Sequence, residues 1–181
     1  MPGALPAITL ILGGARSGKS RHAEQLVTAA ASAGTYIATA EPGDAEMAAR
    51  IAEHRARRSA FWRTVEAPLD LAAAIRAEAD PARPILVDCL TLWLANLMGA
   101  GRVVAHDSEA LRAALRDAAG RDTAGPVVLV ANEVGLGLVP ETPLGREFRD
   151  AAGRLNQDIA ALADRVVFVA AGLPLVLKGQ K

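Results

Sequence analysis

The hydrophobic positions of this chain fall in short continuous runs, separated by longer alanine-rich stretches of mixed polarity. Ile8 to Leu12, Thr35 to Thr39, Ile85 to Cys89, Val127 to Ala131 and Arg165 to Ala170 are such runs, each of five or six residues. Their length and β-branched content predict strands buried on both faces of a sheet. Arg63 to Ala67, just after Phe61 and Trp62, is a further candidate strand. Between the runs, Arg21 to Ala33, Asp44 to about Arg58, Leu69 to Ala79, Ser108 to about Ala119 and Leu144 to Ala163 read as helices. Gly34 marks the end of the first, Asp44 and Ser108 are N-caps, and Pro81 follows the third. Thr91 to Met98 is apolar enough for a short buried helix, Gly99 to Asp107 a loop holding His106, and Arg165 to Ala170 the last clear strand. Strands alternating with helices predict a mostly parallel sheet covered on both faces, a single three-layer α/β domain spanning residues 1–181.

The turn after the first strand carries the chemistry. Gly13-Gly14-Ala15-Arg16-Ser17-Gly18-Lys19-Ser20 fits G-x-x-x-x-G-K-[ST] with nothing missing. Glycines let successive N–H groups turn inward around phosphate oxygens. Lys19 reaches the β- and γ-phosphates, the Ser20 hydroxyl completes a Mg²⁺ shell, and the following helix adds its positive end. With a strand before it and helical residues after it, the motif predicts a phosphate-loop domain that binds ATP or GTP.

Composition narrows the class. A chain of 181 residues suits one domain, and with 51% hydrophobic but 3% aromatic residues its core is built of Ala, Leu and Val. Twenty basic and twenty acidic residues cancel, against a nucleic-acid binder that relies on a strongly basic surface. The one cysteine, Cys89, excludes an intrachain disulfide and fits a reducing cytoplasm. Met1 to Pro6 lack the positive charge of a signal peptide, and the apolar stretch Val166 to Leu177, broken by Gly172 and Pro174, is too short for a membrane span.

Outside the loop, the candidates divide by context. Asp88 closes an apolar strand, where an acid beside a phosphate loop commonly holds Mg²⁺; capping the next helix is the alternative. On the stretch Asp44 to Arg58, helical spacing gathers Arg50, His54, Arg57 and Arg58 within a sector of roughly 100°. Such a cluster lowers the pKa of His54 and attracts polyphosphate; a solvated face with Glu46–Arg50 and Glu53–Arg57 pairs accounts for the same pattern. His22 reads as structural, and the three histidines and one cysteine have no metal-ligand spacing. Glu66 at a strand end, and Asn132, Glu133, Gly135 and Gly137 in the loop Asn132 to Thr142, are weaker pocket candidates.

Taken together, GGARSGKSRHAE, YIATAEPGDAEMAARIAEHRARR, FWRTVEAP, ILVDCLTLWLANLM and ANEVGLGLVPETPLGREFRDAAGRLNQ closely resemble the bifunctional adenosylcobinamide kinase/adenosylcobinamide-phosphate guanylyltransferase family of cobalamin biosynthesis. The resemblance runs from about Ile8 to Lys178. It implies phosphorylation of the aminopropanol hydroxyl of adenosylcobinamide by a nucleoside triphosphate. GMP then passes from GTP through an enzyme histidine to adenosylcobinamide phosphate, giving adenosylcobinamide-GDP. The family's guanylylated histidine lies in R-I-x-x-H, here Arg50 to His54; where some relatives have adjacent histidines, this chain has Glu53 and His54. The resemblance makes His54 and Lys19 catalytic, assigns the loop residues, Arg50, Arg57, Arg58, Glu66 and Asp88 to nucleotide, and gives Mg²⁺ to Ser20 and Asp88. It also implies a RecA-like fold and a homotrimer with corrinoid and nucleotide substrates.

Two other readings are distinguished by residues. A simple phosphate-loop kinase has no need of a histidine nucleophile. A nucleotide switch would carry Asn-Lys-x-Asp where this chain has Asn132-Glu133-Val134-Gly135, and an assembly ATPase of the recombinase kind would show a nucleic-acid surface.

Overall fold

The computed structural model describes residues 5–43, 52, 59–120 and 124–179. The strands are β1 (Ile8–Gly13), β2 (Gly34–Ala38), β3 (Trp62–Glu66), β4 (Ile85–Asp88), β5 (Val127–Asn132), β6 (Arg165–Ala170) and β7 (Leu173–Lys178). The helices are α1 (Lys19–Ala30), α2 (Leu71–Ala77), α3 (Leu90–Gly99), α4 (Val104–Ala119) and α5 (Pro143–Leu162). They build one 7-stranded sheet of order β3-β2-β4-β5-β1-β6-β7, parallel throughout except for the antiparallel β6–β7 edge.

The apolar runs form the sheet interior because a strand covered on both faces has no polar side to present. Alternate residues feed two cores. Ile8, Leu10, Ile85, Val87, Val127 and Leu129 pack under α2, α3, α4 and α5, centred on Trp93 and Leu94. Ile11, Leu86, Val128, Val130 and Val167 face the other way, onto Ala23 and Val27 of α1. The parallel sheet with helices on both faces is the architecture that the alternating pattern predicts.

Three departures from the sequence reading have a clear physical cause. Helix α1 stops at Ala30, and Gly34 opens β2 instead of ending the helix. A Cβ on Gly34 would stand 2.7 Å from the Trp62 ring and 2.8 Å from that of Phe61, so this glycine admits two aromatic side chains against the backbone. Helix α4 starts at Val104, not Ser108, which brings His106 from a loop into its first turn. Its start is held by Asp107, whose carboxylate accepts from the Arg102 guanidinium, itself bonded to Asp70 Oδ1 at 2.9 Å. Finally, Gly172 and Pro174 do not terminate the sheet but make a seventh strand possible. Ala171 (φ 51°) and Gly172 (φ 77°) form a tight turn, and Pro174 sits in an edge strand, where a missing N–H is tolerated.

Candidate nucleotide site

Strand β1 delivers the phosphate loop at the carboxyl end of the sheet, where open α/β folds place their ligands. Gly13 leaves no room for a side chain: a Cβ there would lie 2.5 Å from both Ser17 Oγ and the Val169 carbonyl oxygen. The loop turns through Arg16 (φ 53°) and Gly18 (φ 94°), and α1 begins at Lys19. Lys19 is almost fully buried, and its ammonium donates to the Gly14 carbonyl at 3.0 Å, folded over the loop it belongs to. Around Gly14 there is open space. Ser17 Oγ is buried and makes no hydrogen bond. Ser20, at the first turn of α1, is half-buried.

A part of this site that the sequence reading missed braces the loop from behind. The Gly172 N–H of the β6–β7 turn donates to the Ser17 carbonyl at 2.9 Å, and Gly172 Cα lies 3.3 Å from where a Gly18 Cβ would be. The turn is visible in the sequence only as Ala171-Gly172 before Leu173-Pro174, which resembles a strand end.

Asp88 sits at the tip of β4, two strands from β1, hence about 10 Å across the sheet. Tyr36 donates its hydroxyl to Asp88 Oδ2 at 2.8 Å. The following residue is fixed just as closely. Thr39 Oγ1 donates to the Cys89 carbonyl at 2.7 Å and accepts from the Cys89 N–H at 2.8 Å. The Asn96 amide donates to the carbonyls of Thr39 (2.7 Å) and Pro68 (3.1 Å), tying the ends of β2 and β3 to α3. Burial, and then the neighbouring Asp88 charge, push the Cys89 thiol up to about 11, with Lys19 acting in the opposite direction. Cys89 is therefore a protonated, inert side chain at neutral pH.

On the β5 side, the Glu133 N–H donates to the Gly13 carbonyl at 3.1 Å, and Thr91 Oγ1 accepts from the Asn132 N–H at 2.7 Å. The pair Asn132-Glu133 is thus seated against the phosphate loop. Glu66 ends the outer strand β3, four strands from β1 and so about 19 Å away. The structure unites residues 13–20 with Asp88, Asn132 and Glu133 and leaves Glu66 apart from them. Arg50, His54, Arg57 and Arg58 lie outside the described residues. His22, one turn into α1, has a buried and unpartnered Nε2; burial, and then the Arg165 charge, lower its pKa, keeping it neutral.

A family model described as cobinamide kinase / cobinamide phosphate guanyltransferase matches residues 9–177. The chain belongs to this family.

Two curated relatives agree with that membership. The chain is 55% identical over 171 residues to the bifunctional adenosylcobalamin biosynthesis protein CobP of Pseudomonas aeruginosa, covering 94% of this chain and 97% of that protein. It is 45% identical over 179 residues to the protein CobU of Salmonella typhimurium, with coverages of 93% and 98%. Solved structures share the fold at low identity. The flagellar accessory protein FlaH from Methanocaldococcus jannaschii matches with TM-score 0.54 and 14% identity, over 98% of this chain and 81% of that one. An ATPase of the type III secretion system of pathogenic bacteria matches with TM-score 0.57 and 12% identity, over 95% and 57%. These likenesses identify the domain as a RecA-like phosphate-loop fold, and the family makes it a cobinamide kinase and cobinamide phosphate guanylyltransferase.

Proposed function

We propose that the enzyme phosphorylates the aminopropanol hydroxyl of adenosylcobinamide with ATP or GTP, and then guanylylates the product through His54. The observation that carries this reading is the phosphate loop with Lys19 folded over it, flanked by Asp88 and Glu133 in a chain of this family. In the kinase step the substrate hydroxyl oxygen bonds to the γ-phosphorus, the β–γ bridge breaks, the nucleoside diphosphate leaves and the hydroxyl proton is released. Lys19 exchanges the Gly14 carbonyl for phosphate oxygens and offsets the charge that builds on them.

Mg²⁺ fits the donors available: a carboxylate on Asp88, positioned by Tyr36, and the half-buried Ser20 hydroxyl. Bound there with the phosphates, it would neutralise and orient the transferred group. In the guanylyl step the neutral His54 imidazole attacks the α-phosphorus of GTP and pyrophosphate leaves. The phosphate of adenosylcobinamide phosphate then takes GMP from the nitrogen, giving adenosylcobinamide-GDP. Arg50, Arg57 and Arg58 offset the phosphoryl charge, and Glu66 contacts the guanine nucleotide. The other candidate nucleophiles are poor ones, because Cys89 stays protonated and His22 is half-buried with the Arg165 charge beside it. The working assembly in this reading is a homotrimer in the cytoplasm; among the described residues no helix is long and apolar enough to cross a membrane.

The test is incubation with GTP labelled at the α-phosphate, for wild type, His54→Ala and His22→Ala. An acid-labile, base-stable GMP adduct in wild type and His22→Ala, absent from His54→Ala, is the expected result. An adduct surviving in His54→Ala assigns the nucleophile elsewhere, and none in wild type leaves a simple kinase.

A further inference from the structure

The phosphate loop is flanked at the carboxyl end of the sheet by two different walls. On one side the β6–β7 turn bonds to its backbone; on the other, the segment after β5 leaves from Glu133, whose N–H holds Gly13. Both walls carry exposed apolar side chains: Leu173, Leu175 and Leu177 on β7, and a second group on residues 134–144. Leu136, Leu138 and Val139, with Leu144 at the start of α5, are 81%, 96%, 63% and 65% exposed. Contiguous exposed apolar chains of this kind mark a surface that is covered during function.

The segment is built rather than loose. Glu133 Oε1 accepts from the Gly135 N–H at 2.7 Å. At its far end Arg146 donates to the carbonyls of Pro140 and Glu141, at 3.0 and 2.7 Å, and Thr142 caps α5 by accepting from the Gly145 N–H. The hydrogen bonds hold the backbone while the apolar side chains point outward.

We propose that Leu136, Leu138, Val139 and Leu144 form the docking surface for the corrin ring of cobinamide in the kinase step; this rests on the kinase reading above. The side of the loop settles the occupant. Asp88 and Glu133 both lie on the β5 side of β1, so in this reading the terminal phosphate and its acceptor face that way. The acceptor hydroxyl sits on a short arm of a broad, largely apolar macrocycle, which needs an apolar platform adjoining the reaction centre. A cobalt(III) corrin is also cationic, and Glu133 and Glu141 stand at the two ends of the segment. Aliphatic side chains suit this ligand, since they cover a face without demanding directional partners.

The test compares Leu136→Ser/Leu138→Ser and Leu136→Met/Leu138→Met with wild type. The serine pair is expected to raise KM for adenosylcobinamide by about tenfold or more, with little change in nucleotide affinity or in pyrophosphate release from GTP without corrinoid. The methionine pair, which keeps the apolar area, stays near wild type. In wild-type protein, corrinoid slows amide exchange in residues 134–144 and nucleotide alone does not. Unchanged KM in the serine pair, or unchanged exchange on adding corrinoid, overturns the proposal. Loss of the native oligomeric state in the serine pair overturns it as well, assigning the segment to contacts between copies. A wild type that phosphorylates no cobinamide removes the kinase reading and this proposal together, and is recognised before any variant is compared.

Discussion

Thr39→Val tests whether the tip of β4 is held by a single hydroxyl. Thr39 is fully buried, and its Oγ1 both donates to the Cys89 carbonyl and accepts from the Cys89 N–H. Valine fills the same space without the hydroxyl, so the perturbation leaves the buried Cys89 N–H unpaired, while the Cys89 carbonyl keeps the Trp93 N–H at 3.2 Å. At about 1–3 kcal/mol for an unsatisfied group, the loss is roughly 1–3 kcal/mol. For a domain of this size that lowers Tm by about 2–12 °C. Thr39→Ser is the control, because it keeps both hydrogen bonds and loses one methyl, about 1 kcal/mol. The assay is urea unfolding at constant m, with kinase turnover measured alongside. Since Asp88 is bonded directly to Cys89, kcat should fall in the valine variant more than nucleotide affinity does. If the valine variant unfolds at the same urea concentration as wild type, the Thr39 hydroxyl does not hold the tip and the reasoning fails.

Two further predictions concern the loop and the thiol. Gly18→Ala places a β-carbon at φ 94° and 3.3 Å from Gly172 Cα; the strain of roughly 1–2 kcal/mol should weaken nucleotide binding about tenfold, as titration calorimetry would read, and wild-type affinity would refute it. Cys89, raised to about 11 from an ordinary 9.0, retains its proton in the folded state after the unfolded chain has lost it. Stability should therefore be intact below pH 9 and fall by roughly 2–3 kcal/mol on going to pH 11, a fall absent from Cys89→Ala in chemical unfolding across that range.

Where the sequence was legible, one physical constraint acted alone. The strands Ile85 to Asp88 and Val127 to Asn132 are apolar because both faces are covered, so no other element competes for the pattern. Residues 13–20 are legible for a similar reason: close backbone packing at Gly13 and the left-handed turn at Gly18 admit little but glycine. Elsewhere two constraints give the same residue type. Gly34 reads as a helix stop because glycine commonly ends helices, yet it is required by the Phe61 and Trp62 rings packed on it from β3. Ser108 reads as a cap, but the partner that fixes the start of α4 is Arg102 bound to Asp107 and Asp70, a contact between elements distant in sequence. The Thr39–Cys89 pair and the Gly172 brace were hidden for that reason too: each joins residues that only the sheet order brings together.

The brace has a consequence for how the protein is made. The phosphate loop leaves the ribosome well before Gly172, which holds its Ser17 carbonyl. Strand β1 waits likewise, because its two neighbours are β5 and β6. A nascent chain that ends before β5 therefore carries the whole G-x-x-x-x-G-K-S motif with neither its flanking strands nor its support, and has no preformed cradle for a triphosphate. A triphosphate cradle in this sense needs both β5 and the β6–β7 turn to have been made, and a ligand bound there stabilises the sheet from both of its sides.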